Sequence, residues 1–556
     1  MVLRSGRDVA STTINRGTFF LQNDISMMNI EQPDSVPQTF EEAWNHPNPI
    51  LRKKWRAAIM KEFNSMKKRK VWRKIKRNKI PSGRRCVKCK WLFKEKRNGV
   101  FRARLVACGY SQVAGIDFSE NFAPVVNDIT YRILLIILIV LRLEGKLIDV
   151  ETAFLYGNLE EEIYMDCPEG MITDGDECLL LLQSIYGLVQ AARQWWKKLV
   201  TILKKIGFVP SLADPCLLTK QKNDKFVYIG LYVDDCICIG HKEMIDETEK
   251  LLKENDLNLK VEEELVDYLS CEINFNDDKT KAWLGQPHLI KNLMTTFGEE
   301  VKDLQEYKSP GTPGVGITRN VENQKIEEEE AKKYRSGVGM LLYLVKHSRP
   351  DIANAVRELS KVMDEPTLAA LKELKRVIKY VLDTKNYGLR IEPRQYEDRW
   401  ELIMFSDSDY GGDKDTRISV GGFVLYFLGV PISWKSKGQK SVTLSSAEAE
   451  YVAMSEAVKE IRFAYQILVS MGFDVTLPII VRVDNVGAIY MTENKTTSTR
   501  TKHVDIRYHF VREFIEDGFI KVVFVRSEDN DADIFTKNVS SDKFETHQSK
   551  MIKKND

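Results

Sequence analysis

The 556-residue chain is too long for a single hydrophobic core, and its length predicts three or four domains. Its 43% hydrophobic and 29% charged residues are typical of a globular protein. The longest apolar run, Ile133 to Leu141, has nine residues, which is too short to span a bilayer, so we expect no membrane partner.

Charge is unevenly distributed along the chain. Residues 51–110 contain 23 Lys or Arg against two acids, so this segment carries +21 while the whole chain carries +3. Such an asymmetry favours a polyanionic partner, namely nucleic acid. The alternative is a solvated basic helix face, but aromatic residues alternate with the charges at Trp55, Phe63, Trp72, Trp91, Phe93 and Phe101.

The nine cysteines are scattered and odd in number, and no signal peptide precedes them. This usage is typical of a reduced intracellular compartment. Cys86-x-x-Cys89 has the spacing of a metal site, but no second Cys or His pair follows at zinc-finger distance. We therefore interpret both cysteines as strand residues.

The first structural signals follow a polar segment, residues 1–37, that we interpret as a flexible tail or linker. Thr39 and Glu42 have the spacing of a capping box, and a basic amphipathic helix is predicted over residues 50–68. The segments 86–94 and 99–108 alternate apolar and basic residues, which predicts a hairpin. Its basic residues either contact phosphates or form a solvated face: Lys94, Arg102 and Arg104.

Carboxylates occur at the ends of two apolar segments. Asp149 ends the strand predicted from Lys146, and Asp234-Asp235 lie between two apolar runs that predict a strand, a tight turn and a second strand. Together these acids suit two divalent ions roughly 3.5 to 4 Å apart, as two-metal phosphoryl transfer requires. Taken alone, Asp234-Asp235 is more typical of a solvated hairpin tip, and the flanking apolar strands and the rest of the chain favour the metal site instead.

The amino-acid sequences of these motifs resemble the reverse transcriptase of copia-type (Ty1/copia) LTR retrotransposon Pol polyproteins. The resemblance rests on four blocks in this order: Asp149-Val-Glu-Thr-Ala-Phe-Leu-Tyr-Gly157, Ser184-Ile-Tyr-Gly-Leu-Val-Gln-Ala-Ala-Arg-Gln-Trp195, Ala213-Asp-Pro-Cys216 and Tyr232-Val-Asp-Asp235. It extends upstream to Lys90 and downstream to the end of the chain.

The resemblance implies an α+β multidomain fold: a right-hand polymerase with fingers and palm over residues 38–250, a thumb over 251–310 and a connection over 311–400. It implies that Asp149, Asp234 and Asp235 are catalytic. Asp149, Asp234 and the backbone carbonyl of Val150 would bind metal. The implied substrate contacts are Lys94, Arg104, Phe154 at the sugar 2′ position, and Gln190 at the incoming nucleotide. Ala192 and Cys108 depart from the family pattern, and neither is a metal ligand.

A second unit begins at Leu402, where strands and helices start to alternate as in an independent α/β domain. Four acids fall at the predicted ends of these elements: Asp407, Glu448, Asp484 and Asp533. Four converging carboxylates would hold two metals, although exposed acids are also common at such positions.

This unit resembles the copia-type RNase H domain through Ser406-Asp-Ser-Asp-Tyr-Gly-Gly-Asp413, Leu444-Ser-Ser-Ala-Glu-Ala-Glu-Tyr451, Asp484-Asn485 and Ala532-Asp-Ile-Phe-Thr-Lys537. The resemblance implies an RNase H domain over 401–540 followed by a tail over 541–556, with Asp407, Glu448, Asp484 and Asp533 as catalytic metal ligands. Asp409 and Glu450 are near neighbours that would take these roles if the register differed. His503 and His509 are either substrate contacts or core groups, and the loop before Asp533 lacks the histidine of many other RNases H.

The implied function is RNA-directed DNA polymerisation with ribonuclease H activity, using two Mg²⁺ or Mn²⁺ per active site. The implied partners are an RNA template, a DNA primer, the RNA–DNA hybrid and dNTPs, with homodimerisation as a further expectation. The family implies a cytoplasmic virus-like particle or the nucleus. Two alternatives remain: a decayed or domesticated fragment that only binds nucleic acid, and a complete polyprotein. The chain contains neither an Asp-Ser/Thr-Gly protease motif nor an upstream His-His-Cys-Cys pattern, which argues against the second.

Overall fold

The computed structural model describes residues 36–95, 99–319, 325–394, 399–440, 442–493 and 510–555. These residues form several sheets with packed helices, which confirms the predicted α+β multidomain class. Nearly all of the predicted N-terminal tail lies outside the described residues, and so do His503 and His509.

The fingers contain two helices, a four-stranded sheet and a separate hairpin. Thr39 caps the first helix, as the capping box predicted, and Trp55 of the second helix is fully buried against the rings of Phe93 and Phe101. The bounds are α1 Phe40–Trp44, α2 Pro49–Lys68, β1 Trp72–Lys76, β2 Cys86–Val87, β3 Cys89–Glu95, β4 Phe101–Ala107, β6 Asn158–Asp166 and β7 Glu177–Gln183. The sheet has the order β1-β7-β6-β2, and the hairpin pairs β3 with β4.

The palm is a six-stranded sheet that carries the first set of predicted catalytic acids. Its strands are β5 Glu144–Val150, β8 Val209–Pro210, β9 Leu217–Lys222, β10 Lys225–Tyr232, β11 Asp235–Gly240 and β12 Leu259–Glu262, in the order β12-β5-β11-β10-β9-β8. Its helices are α3 Asp128–Val140, α4 Ala191–Lys205 and α5 Lys242–Glu254. Residues 129–139 of α3 are all buried, so its long apolar run is covered by protein on every side.

The predicted thumb and connection share one sheet and one core, which differs from the expected boundary at residue 310. The sheet has the order β13-β14-β15-β16-β22, so its strands come from both predicted domains and from the segment predicted as a tail. The elements are β13 Asp267–Tyr268, β14 Cys271–Phe275, β15 Ala282–Gly285, α6 Pro287–Val301, α7 Glu328–His347, α8 Ala353–Ser360, α9 Leu368–Asp383, β16 Tyr387–Ile391 and β22 Ile552–Lys554. Buried residues of α6, α7 and α9 form one cluster.

Residues 541–555 were predicted to form a tail, but they are folded into a helix and a strand. The helix α12 Ser541–Gln548 buries Phe544 and His547, and β22 pairs with β16. The pairing joins residues far apart in sequence, so no local pattern indicated it.

The last unit is a mixed five-stranded sheet with a long helix across it. Strand order is β19-β18-β17-β20-β21, with antiparallel pairing on the β19 side and parallel pairing on the β21 side. The elements are β17 Leu402–Asp409, β18 Val420–Phe427, β19 Val430–Gly438, α10 Ser446–Ser470, β20 Ile479–Val483, α11 Val486–Glu493 and β21 Ile520–Phe524. Strand β19 was not predicted.

This unit packs directly on the palm. Arg132 of α3 is buried and donates hydrogen bonds to the carbonyl oxygens of Ile432 (2.8 Å) and Lys346 (2.5 Å), while its guanidinium lies 4.0 Å from the ring centroid of Trp434. The hydroxyl of Tyr228 donates to the carbonyl of Met471 at 2.9 Å. The two sets of predicted catalytic acids therefore belong to one continuous body.

All nine cysteines are free, and Cys86 and Cys89 lie on β2 and β3, as predicted. Within the described ranges, no helix combines the length and apolar character needed to cross a membrane.

Candidate active sites

The hairpin of β10 and β11 presents Asp234 and Asp235 at a tight turn. Tyr232 pairs with Asp235, so only Val233 and Asp234 lie between the strands. Val233 has a φ of +57°, an unfavourable conformation for a β-branched residue. The indole N–H of Trp195 on α4 donates to the Val233 carbonyl at 2.6 Å and fastens the turn to the palm.

Cross-strand register places Asp149 beside this turn. Asp149 of β5 pairs with Asp235 on one side and with Lys260 of β12 on the other, so these side chains form one row across the sheet. The N–H of Val150 donates to the Asp234 carbonyl at 3.2 Å. The three predicted polymerase aspartates therefore lie at the same edge of the palm sheet.

The row lies in a cleft of about 600 Å³ between fingers and palm. The palm contributes Asp149, Asp234 and Asp235, and five of the side chains that the fingers contribute are basic: Lys61, Lys68, Arg69, Arg102 and Arg104. Acids on one wall and bases on the other suit a substrate that carries phosphates and divalent cations together.

Neighbouring acids perturb one another at this site. The pKa of Asp235 is raised to about 7, first by removal from water and then by the charges of Asp234 and Asp149. A bound cation would relieve this repulsion. The shift is therefore the one expected of a carboxylate group arranged for a metal ion.

Of the predicted substrate contacts, Arg104 lines the cleft, whereas Lys94 and Phe154 do not. Arg104 lines the cleft, with its guanidinium 4.2 Å from the ring centroid of Tyr186. Lys94 pairs with Arg102 on the same face of the hairpin but is not part of the cleft wall, whereas Arg102 is. Phe154 packs against Tyr186, with ring centroids 5.0 Å apart, and so contacts the wall from behind.

Gln190 does not reach the cleft. It is fully buried, and its amide donates to the carbonyl of Asp117 at 2.9 Å while accepting from Gln112 at 3.1 Å. These contacts hold the loop around Asp117 against the start of α4. The structure therefore shows a structural role for Gln190 in place of the predicted nucleotide contact.

A second acidic cluster forms where β17, α10 and β20 meet. Asp407, Glu450 and Asp484 have carboxylate oxygens within 4.8 Å of one another. In the part of the chain that the structure describes, this is the only group of three or more potential metal ligands that lie so close together. The cysteine pair at 86 and 89 forms no such group.

Glu448 was predicted as a metal ligand, but it does not belong to this group of acids. Its carboxylate accepts from the N–H of Leu444 at 2.7 Å, and its own N–H donates to the Ser445 hydroxyl at 3.2 Å. These bonds fasten Glu448 to the start of α10 in the manner of a capping box, and Glu448 is not among the clustered acids. Glu450, two residues later, accepts instead from the N–H of Ser408 at 3.1 Å and joins Asp407.

Asp533 lies beside the cluster and is fully buried. It forms ion pairs with Lys537 (2.6 Å) and Lys543 (2.7 Å), and its charge contributes to the raised pKa of Asp407. Asp533 is thus close to Asp407 but is neutralised by two lysines. Sequence reasoning assigned no role to either lysine.

Burial raises the pKa values of Asp407 and Glu450. Burial, followed by the charge of Asp533, raises the pKa of Asp407 to about 7, and the hydroxyl of Thr536 donates to its carboxylate. Burial and the charges of Asp407 and Asp484 raise the pKa of Glu450. Asp484 accepts a hydrogen bond from the Ser527 hydroxyl at 2.6 Å.

Several known proteins are similar to this chain in sequence. The family described as reverse transcriptase (RNA-dependent DNA polymerase) matches residues 69–301. The Pol polyprotein of transposon TNT 1-94 from Nicotiana tabacum is 33% identical over 525 residues, 92% of this chain and 38% of that protein. The transposon Ty5-1 protein of Saccharomyces cerevisiae is 30% identical over 321 residues, 56% of this chain and 100% of that protein.

The chain belongs to the copia-type Pol family. It spans about two fifths of the length of the TNT 1-94 polyprotein, and the match includes both acidic clusters of this copia-type chain. A solved foamy viral protease-reverse transcriptase in complex with ds DNA aligns with a TM-score of 0.45 and 13% identity, covering 85% of this chain and 69% of that chain.

Proposed function

We propose that this copia-type chain is an RNA-directed DNA polymerase with ribonuclease H activity, which copies retrotransposon RNA into DNA and degrades the RNA of the hybrid. The observation that carries the proposal is the presence of two separate carboxylate clusters, Asp149 with Asp234 and Asp235, and Asp407 with Glu450 and Asp484. Each cluster has the hard oxygen donors that Mg²⁺ prefers.

Both clusters fit divalent cations. The carboxylates of Asp407, Glu450 and Asp484 lie within 4.8 Å of one another, and Asp149, Asp234 and Asp235 line one cleft. Neighbouring negative charges contribute to the raised pKa values of Asp235 and Asp407. Two Mg²⁺ or Mn²⁺ ions at each cluster would stabilise the charge that develops on the attacking and leaving oxygens. Asp149, Asp234 and the carbonyl of Val150 are the proposed ligands in the palm, and Asp407, Glu450, Asp484 and Asp533 in the second cluster.

In the polymerase cleft, the proposed substrates are a dNTP and a DNA primer paired with an RNA template. Arg102 and Arg104 face the aspartates across the cleft and would bind and orient the triphosphate. Phe154 supports Tyr186 at the cleft wall, so its bulk would set the space available at the sugar 2′ position.

The test is primer extension on an oligo-rA template, with RNA cleavage scored in the same tubes for wild type, Asp234→Asn and Asp407→Asn. We expect Asp234→Asn to lose extension roughly a thousandfold and to keep RNA cleavage, because several kcal/mol of transition-state stabilisation disappear from one site only. Asp407→Asn is the matched control and should show the reverse pattern.

The alternative is a decayed or domesticated protein that only binds nucleic acid. It would show neither activity in the wild type while retaining salt-sensitive binding. The retention of both carboxylate clusters in folded, converging positions favours the enzyme.

A further inference from the structure

The C-terminal helix α12 contributes a side chain to the second acidic cluster. The ammonium group of Lys543 on this helix lies 2.7 Å from one carboxylate oxygen of Asp533, and that of Lys537 lies 2.6 Å from the other. Residues 541–556 were predicted to be a tail, so Lys543 had no predicted role. Its contact with Asp533 shows that a segment beyond the predicted RNase H domain completes the charge balance of this site.

Asp533 depends on these two lysines to balance its charge. It is fully buried, and none of the described residues donates a well-aligned hydrogen bond to either of its carboxylate oxygens. In that part of the chain, Lys537 and Lys543 are the two cations that form ion pairs with it. A carboxylate removed from water needs opposite charge nearby, because water no longer stabilises its negative charge. Both oxygens of Asp533 are therefore already engaged by ammonium groups.

The other acids of the cluster form a group of their own. Asp407, Glu450 and Asp484 have carboxylate oxygens within 4.8 Å of one another, and we call them the three-acid site; Asp533 is not one of them. The hydroxyl of Thr536 donates to the Asp407 carboxylate and lies 3.0 Å from the Asp533 carbonyl oxygen, so the loop that carries Asp533 borders this site. The cluster thus combines a three-acid site with an ion-paired carboxylate beside it.

Any divalent ion that binds Asp533 has to compete with the two lysines. A metal ion binds a carboxylate through its oxygens, and each oxygen of Asp533 already contacts an ammonium group. Binding the ion therefore means moving at least one ammonium group away from a buried negative charge, which opposes binding electrostatically. The three-acid site carries no comparable cost, because no described lysine or arginine forms an ion pair with Asp407, Glu450 or Asp484.

Lys543 acts on Asp533 from a helix that has its own anchor. On α12, the buried imidazole of His547 places Nδ1 2.8 Å from the carboxylate of Asp531. Because Asp531 lies two residues before Asp533, this contact holds α12 to the loop without help from Lys543. Lys537, in contrast, belongs to the loop, and its charge also acts on acids of the three-acid site. Replacing Lys543 is therefore the change that isolates the charge at Asp533.

We propose that Lys543, together with Lys537, competes with the second divalent ion of this cluster for Asp533, so that the first ion binds at the three-acid site and the second binds much more weakly. This assignment rests on the proposed function, which places two ions at the cluster. Lys543 acts on the reaction through Asp533 as a positioning residue, because the strength of its ion pair sets the ion concentration at which the second position fills.

The test is a Mn²⁺ titration of the full chain, followed by electron paramagnetic resonance of the free ion, in an Asp149→Asn, Asp234→Asn parent that lacks the polymerase site. The test variant adds Lys543→Met, which removes the ammonium charge and keeps most of the side-chain volume. The matched control adds Lys554→Met, which changes an exposed lysine of β22 in the same way. We expect Lys543→Met to bind the second Mn²⁺ roughly tenfold more tightly and the first within about twofold, and the control to match the parent.

Three further variants separate competition for Asp533 from a general disturbance of the fold. Lys543→Arg keeps the charge and should leave both binding steps close to those of the parent. Lys543→Gln removes the charge but can still donate a hydrogen bond, so it replaces the methionine variant if that protein does not fold, and it should show the same direction of change. In an Asp533→Asn protein, Lys543→Met should bring no gain, because the contested carboxylate is absent. Thermal melting in EDTA reports the folding of each variant.

The outcomes that count against the proposal are specific. An unchanged second binding step in the folded charge-removing variant, an equal gain in Lys554→Met, or a gain that persists in Asp533→Asn would overturn it. RNA cleavage by the unsubstituted chain is scored separately. Its absence would count against the proposed function, while the Mn²⁺ titration would still decide whether Lys543 competes for Asp533.

Discussion

Glu448 and Glu450 lie two residues apart on α10 and yet have different surroundings. Glu448 caps the helix, whereas Glu450 lies with Asp407 and Asp484. We expect Glu450→Gln to abolish RNA cleavage and Glu448→Gln to keep most of it, because a glutamine amide still accepts the capping hydrogen bond and a lost cap costs only about 1 kcal/mol. Cleavage of a labelled hybrid, with primer extension as the folding control, measures both. Equal activity of the two variants would contradict the assignment.

Protonation at Asp407 predicts a pH-dependent response to metal. The pKa of Asp407 is raised to about 7 in the folded protein. The same carboxyl group loses its proton at a lower pH in the unfolded chain than in the folded one. The free energy of unfolding of the metal-free protein therefore falls as pH rises from about 4 to about 7. Metal binding needs the deprotonated form, so we expect Mg²⁺ to bind this site about tenfold more weakly at pH 6 than at pH 8. Thermal unfolding with Mg²⁺ or EDTA at both values checks this. A stabilisation by Mg²⁺ that is the same at pH 6 and pH 8 would disprove it.

The sequence predicted most of the carboxylates, because each ends a strand or begins a helix within a recognisable motif. It misplaced Glu448 although the Ser445-x-x-Glu448 spacing is itself a capping-box signal. Gln190 was misassigned for another reason. Its partners Asp117 and Gln112 lie more than 70 residues away, and spacing along the chain carries no information about such contacts.

At the scale of elements, α3 joins the palm to the second catalytic unit, and Arg132 provides its polar contact. We expect Arg132→Met to cost about 2–4 kcal/mol of docking free energy, because two charge-assisted hydrogen bonds and the contact with Trp434 are lost. Arg132→Lys should rescue little, since an ammonium cannot reproduce the planar fork. Chemical unfolding should then separate into two transitions; a single unshifted transition would contradict the role.

Hairpins and alternating strands were predictable from period-two patterns and turn residues, as β3 with β4 and β10 with β11 show. The apolar run of α3 is a sequence signal for burial, but it does not indicate which surface covers the helix. The partner is the unit that begins more than 260 residues later, and an apolar surface does not specify which other surface buries it.

For the whole molecule, the segment 541–555 is predicted to be essential for folding. The buried His547 contacts Asp531 at 2.8 Å, Gln548 donates to the Tyr380 hydroxyl at 2.7 Å, and β22 covers the edge of β16. Truncation after residue 540 should sharply reduce soluble yield and melting temperature, because it exposes core residues and an unpaired strand edge. Lys554→Ala is the mild control. A truncated protein that melts like wild type would refute this.

Strand β22 also has a consequence for the order of synthesis. The sheet it completes starts at Asp267, so nearly 300 residues separate its first strand from its last. On the ribosome, β16 must wait with an open edge until residues 552–554 emerge, and a chain whose translation stops early keeps that edge permanently. Products interrupted before these residues would therefore be prone to aggregate through the open edge of β16.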